Sequence, residues 1–148
     1  MLIAVDTNVL VYAEGGGDAR RKRKARDLLL SLPEEQTILP VQVLGELYRV
    51  LVGKYRVDAA VAKQALLRWG DVFQVRESTW SALRIALELA EAHQLSIWDS
   101  LIFSVAAEQR CRLLLSEDMQ EGFTWSGVTV VNPFADKPHA LLSKLADR

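Results

Sequence analysis

Leu2-Ile3-Ala4-Val5-Asp6-Thr7-Asn8-Val9-Leu10-Val11-Tyr12 is the stretch on which the reading of the fold turns. Its four leading apolar residues, with β-branched members, have the pattern of a short strand buried on both faces, as in the interior of a parallel sheet. Asp6 ends the run, so its carboxylate projects past the carboxyl end of the strand, the edge where open α/β sheets bind ligands. A competing reading is that Asp6, Thr7 or Asn8 caps a helix starting at Val9, since all three are good N-cap types. The choice depends on whether other acids converge on the same edge.

The rest of the chain alternates strands with helices. Gly15-Gly16-Gly17 is a flexible loop without the spacing of a dinucleotide fingerprint or a Gly-Lys-Ser/Thr ending. Asp18 caps a helix that opens on Arg20, Arg21, Lys22, Arg23, Lys24 and Arg26 and that Pro33 ends. Thr37–Pro40 reads as a second strand, Val41–Tyr55 as a helix, and Ala59–Trp69 as another, capped by Asp58 and ended by Gly70. Val72–Val75 is a third strand. An amphipathic helix from Ser78 or Thr79 to His93 and a helix from Ser96 to about Arg110 follow. Arg112–Leu115 and Val128–Val131 supply a fourth and a fifth strand, and Pro138–Asp147 a short terminal helix. No repeat or linker interrupts this order, so we expect one three-layer α/β/α domain over residues 1–148, with a mostly parallel central sheet of four to five strands.

Composition narrows the function. Of the 148 residues half are hydrophobic and a quarter charged, and the net charge is −1, so nucleic-acid binding would have to come from local patches. The single cysteine, Cys111, allows neither an internal disulfide nor a thiolate metal site. No apolar run approaches the ~18 residues that span a bilayer, and the N-terminus lacks a basic segment before Asp6. A cytoplasmic protein with no membrane association is the expectation.

Three further acids stand in unusual places. Glu46 borders the apolar arc of its helix, beside Val43 and Val50, where a surface pair with Arg49 would also account for it. Asp99 has Ile102, Phe103 and Ala106 at i+3, i+4 and i+7, which places a carboxylate in the face that should meet the sheet. Ser96-Ile97-Trp98-Asp99 also reads as an acidic capping box. Asp118 follows a strand end in Leu115-Ser116-Glu117-Asp118, repeating the logic of Asp6, although turn chemistry explains it as well. A parallel sheet brings all four acids towards one end of the fold. Carboxylates ~5 Å apart at an effective dielectric near 20 repel by about 3 kcal/mol per pair, so such a cluster must take up protons or hold a cation. An all-oxygen donor set favours Mg²⁺ or Mn²⁺ over Zn²⁺.

Asp6-Thr7-Asn8 after a first strand, Glu46 in a helix, Trp98-Asp99-Ser100-Leu101-Ile102, and Ser116-Glu117-Asp118 occur in the order of the PIN-domain nuclease pattern, and the chain resembles that family from about residue 2 to residue 134. Within the family it looks most like the VapC ribonuclease toxins of type II toxin–antitoxin pairs. The resemblance implies a Mg²⁺ or Mn²⁺ site formed by Asp6, Glu46, Asp99 and Asp118, supported by Asn8 and Ser116, with Glu117 as a competitor for the place of Asp118. It also implies hydrolysis of RNA phosphodiesters, a homodimer, and inhibition by a small VapB-like antitoxin protein. The tail 135–148 and the basic segment lie outside the motif. Arg20, Arg21 and Arg23 could border an RNA path, or form a solvated helix face or an antitoxin contact.

Two rivals are weaker on these residues. A haloacid-dehalogenase-like phosphatase also places Asp after its first strand but wants Asp-x-Asp, and Asn8 holds the second place. A receiver-like binding module needs a phosphoacceptor Asp midway and a late Lys after a strand, neither of which is evident. A PIN-type processing nuclease without an antitoxin remains the nearest alternative.

Overall fold

A computed structural model describes residues 1–146, which alternate β1 (Ile3–Val5), α1 (Thr7–Ala13), α2 (Ala19–Ser31), β2 (Thr37–Pro40), α3 (Val41–Gly53), α4 (Ala59–Val72), β3 (Gln74–Arg76), α5 (Trp80–His93), α6 (Ile97–Glu108), β4 (Leu113–Leu115), β5 (Thr124–Trp125), β6 (Val128–Val131) and α7 (Ala140–Ala146). The six strands form one sheet in the order β3-β2-β1-β4-β6-β5. Every pairing is parallel except β5 with β6. Ile3, Ala4 and Val5 are inaccessible to solvent because β1 has strands on both sides and helices over the sheet. The sheet core continues through Leu39, Leu113, Leu114 and Val130, all fully buried.

Helix α5 packs on α6. Ala82 and Ala86 meet Leu101 and Val105 in a small separate core, and the fully buried Ser104 donates its hydroxyl to the Ala82 carbonyl at 2.7 Å. Small residues on α5 allow this close approach. Among the described residues no helix is long and apolar enough to cross a membrane.

The expected architecture holds, with three local differences. Gly70 does not end α4, which runs on to Val72 and is capped by Phe73. Phe73 is buried and stacks on Trp69 one turn earlier, at 6.0 Å and nearly parallel. That contact outweighs the ~1 kcal/mol that glycine costs inside a helix. The third strand consequently starts later, at Gln74 rather than Val72. The sheet also has a sixth strand, Thr124–Trp125, joined to β6 through Ser126 and Gly127, both at positive φ (49° and 80°). Two consecutive left-handed residues are what a tight hairpin turn of this hand requires. The terminal helix lies where expected, although Asp147 falls outside the described residues.

Candidate active site

The site begins with the end of β1. Asp6 is extended and caps α1, its Oδ1 accepting the Thr7 amide at 2.7 Å, while its own amide continues the sheet by donating to the Leu115 carbonyl at 2.9 Å. The cap and the sheet-edge carboxylate are therefore one feature. The outer oxygen, Oδ2, accepts the Ser116 hydroxyl at 2.7 Å and the Asn8 amide at 3.3 Å. Asp6 is 3% exposed and Ser116 is fully buried.

Asn8 fastens two chain segments together. Its Nδ2 donates to Asp118 at 3.2 Å and to Ser116 Oγ at 3.3 Å, and its Oδ1 accepts the Glu117 amide at 3.1 Å. Ser116 Oγ in turn accepts the amides of Asp118 and Met119. The turn after β4 is thus held against the first turn of α1, with Asp6 and Asp118 sharing one amide group.

Glu117 is taken elsewhere. Its two oxygens accept the Tyr12 hydroxyl at 2.7 Å and the Arg21 guanidinium at 3.0 Å. Burial first, and then Glu117, pushes the Tyr12 phenol up to about 12. Asp118, exposed and bonded through Asn8, is the acid of this turn that faces Asp6.

Glu46 joins from α3. Thr7 donates its hydroxyl to one carboxylate oxygen at 2.8 Å, and Gln42 donates its amide to the other at 3.0 Å. The Gln42 amide also reaches the Trp98 carbonyl at 3.2 Å and so ties α3 to the start of α6. No ion pair joins Glu46 to Arg49 among the described residues; these two neutral donors hold the carboxylate where the alternative reading had a surface pair. Asp99 occupies the first turn of α6, half-buried, with its amide donating to Ser96 Oγ at 3.0 Å.

The electrostatics follow from this gathering. Burial pushes the Asp6 carboxyl up to about 7, against the pull of its Ser116 and Thr7 hydrogen bonds, and the charges of Asp99 and Asp118 add to the rise. Burial also raises Asp99, with Glu46 and Asp118 contributing as like charges. Among the described residues no three acids, histidines or cysteines are drawn together closely enough to form a finished metal shell. The donors nonetheless fit a hard divalent cation: all are carboxylate oxygens, one is buried, and their charges penalise one another.

A family model for the PIN domain matches residues 3–120, which include every one of these side chains. The chain belongs to the PIN-domain family. Solved structures share its fold. VapC20 of Mycobacterium tuberculosis, a toxin that cleaves the sarcin–ricin loop, is 29% identical with a TM-score of 0.64, over 76% of this chain and 86% of that one. A toxin–antitoxin complex from Klebsiella pneumoniae is 21% identical with a TM-score of 0.66, over 89% and 98% of the two chains. FitAcB from Neisseria gonorrhoeae is 20% identical with a TM-score of 0.67, over 90% and 99%. No curated protein matches the chain.

Within this PIN-domain chain the basic segment is only partly available. Arg21 binds Glu117 and Asp18, Arg26 donates to the Ala13 carbonyl, and Arg20 lies 3.8 Å from Asp136. Sequence reasoning missed Thr7, which connects the first strand's acid to Glu46, and Gln42. The i, i+4 spacing of Gln42 and Glu46 on α3 was the available signal for the second.

Proposed function

We propose that this PIN-domain chain is a metal-dependent endoribonuclease and the toxin of a toxin–antitoxin pair. The observation that carries the reading is a buried aspartate at the carboxyl edge of the sheet, tied through Asn8 to Asp118 and through Thr7 to Glu46, and near enough to Asp99 to feel its charge. Asp6, Glu46, Asp99 and Asp118 would hold Mg²⁺ or Mn²⁺. When bound, such an ion supplies Lewis-acid polarisation of the phosphoryl group and lowers the pKa of water. The chain's own residues do the positioning. Asn8 and Ser116 fix the Asp6 and Asp118 carboxylates, Thr7 and Gln42 fix Glu46, and the Ser96 cap fixes the start of α6 that carries Asp99. An acid of this cluster orients the attacking water or accepts its proton. Glu117 acts outside the cluster, holding Arg21 beside it.

Support for the toxin role comes from the neighbours. VapC20 cleaves RNA, and the Klebsiella structure is of a toxin with its antitoxin. By this reading a small VapB-like protein covers the site, the working form is a homodimer, and the compartment is the cytoplasm. Purified protein should cleave single-stranded RNA with Mg²⁺ or Mn²⁺ and stop on addition of EDTA. Phosphate release from small phosphomonoesters without RNA cleavage would instead identify a phosphatase.

The basic segment has a subsidiary place in this proposal, as the border of the RNA path next to Glu117. Replacing Arg20, Arg21 and Arg23 together by Gln should reduce the slope of log affinity for RNA against log salt by two to three contacts' worth, roughly 0.7 per lost phosphate contact on single strands. An unchanged slope places these side chains off the path.

A further inference from the structure

Gly45 sits in the middle of α3, one residue before Glu46, and apart from its chain neighbours and the backbone of its own helix nothing lies within 4 Å of where its Cβ would be. Glycine inside a helix is unfavourable. No packing and no positive φ requires it here, so what the missing side chain leaves is open space. That space is a groove of about 400 Å³ bounded by Gln42, Gly45, Glu46, Arg49 and Trp98. Trp98 is 60% exposed although it directly precedes Asp99, and its backbone is fixed by the Gln42 amide on its carbonyl. Arg49 is exposed and has no ion-pair partner among the described residues.

A second groove, about 290 Å³, shares Glu46 and Arg49 with the first and continues past Asp118 to Lys54 and Tyr55. Together they make one trough along α3. Trp98 and Tyr55 stand at its ends, Arg49 and Lys54 lie along it with the Lys54 ammonium over the Tyr55 ring, and Glu46 and Asp118 lie between. We propose that this trough is the path of single-stranded RNA, with the nucleobase beside the scissile phosphate stacked on the Trp98 indole over Gly45 and a neighbouring phosphate on Arg49. Stacking platforms interleaved with cations are what single strands need, since every base offers a π-face and every linkage a charge. Arg49 and Lys54 offset the Glu46 and Asp118 carboxylates along the trough, so a phosphate backbone finds positive charge beside the acid cluster. The inference rests on the nuclease reading and adds where the substrate lies.

The test uses the full-length protein and a fluorescein-labelled nine-nucleotide single-stranded RNA of mixed sequence. Trp98→Ala should weaken binding about tenfold and Trp98→Phe should restore most of it. Gly45→Ala, which favours the helix, should raise the thermal midpoint yet weaken RNA binding, because its methyl group fills the groove floor. Trp80→Ala, at an exposed tryptophan on α5, should leave binding unchanged. If wild-type protein neither binds nor cleaves the RNA, the nuclease reading itself fails. If wild-type protein cleaves but Trp98→Ala and Gly45→Ala bind and cleave as well as it does, the trough is not the RNA path. Unchanged RNA affinity together with lost control by the antitoxin would assign the groove to a protein segment and overturn the proposal.

Discussion

Asp6→Asn should abolish RNA cleavage, on the order of a thousandfold or roughly 4 kcal/mol of barrier, while making the metal-free protein more stable at pH 8. The second half is the discriminating one. The Asp6 carboxyl titrates near its ordinary 3.8 when unfolded and at about 7 when folded, so the folded state binds more protons between those values. Stability therefore falls as pH rises through that window, and the loss is complete above it. At about 1.4 kcal/mol per pKa unit the loss is roughly 4 kcal/mol. Asparagine carries no charge to desolvate. It keeps the acceptor for the Thr7 amide but sets an amide against Asn8 and against the Ser116 hydroxyl, which must turn to accept, at a cost of about 2 kcal/mol. The net gain at pH 8 is about 2 kcal/mol, or about 4–8 °C in thermal midpoint. The advantage should vanish near pH 4, where the wild-type carboxyl is protonated. Thermal melts in EDTA at the two pH values decide it: an Asp6→Asn midpoint below wild type at pH 8 would mean that the carboxylate is already neutralised by the protein.

Asn8→Asp should have the opposite sign. Asn8 is nearly fully buried, and its Nδ2 stands between Asp6 and Asp118 at 3.3 and 3.2 Å. The substitution is isosteric, removes both donors and inserts a charge between two others. Even at an effective dielectric of 20 each new repulsion is of order 3 kcal/mol. A fall in midpoint of about 10 °C without metal is expected at pH 8, with cleavage at least a hundredfold lower at limiting cation. Millimolar Mn²⁺ should recover part of the stability, and should raise the variant's midpoint more than that of wild type. A midpoint within 2 °C of wild type in EDTA would show that Asn8 does not bridge the acids.

The sequence made some of this legible because the relevant signals were local. A β-branched run ended by an acid marks a strand end, and parallel strands put their ends on one edge, so Asp6 and the turn after Leu115 could be brought together from pattern alone. Asp99 stood out because a carboxylate at apolar spacing needs a reason. The cap readings weighed against Asp6 and Asp99 hold in part: Asp6 caps a helix that starts at Thr7 rather than Val9, and of the capping box the structure shows the Asp99 amide on Ser96 Oγ. The choice between Glu117 and Asp118 was not legible, because it turns on Tyr12 and Arg21, which lie 105 and 96 residues away from Glu117. The Thr7–Glu46 and Gln42–Trp98 bonds are likewise tertiary. Gly70 misled because local propensity carried no trace of the Trp69–Phe73 stack. Two residues of β5 are too few to show an alternation.

The hydroxyl that clasps the first strand's aspartate arrives 110 positions later in the chain. At 5–20 residues per second a ribosome needs roughly 5 to 20 s to make that interval. Until then β1 lacks β4 as its neighbour and the turn bearing Asp118 does not exist. A polypeptide still being translated, or one that stops before β4, consequently lacks the assembled acid cluster. The site is thus completed only when β4 docks beside β1, after most of the chain has been made.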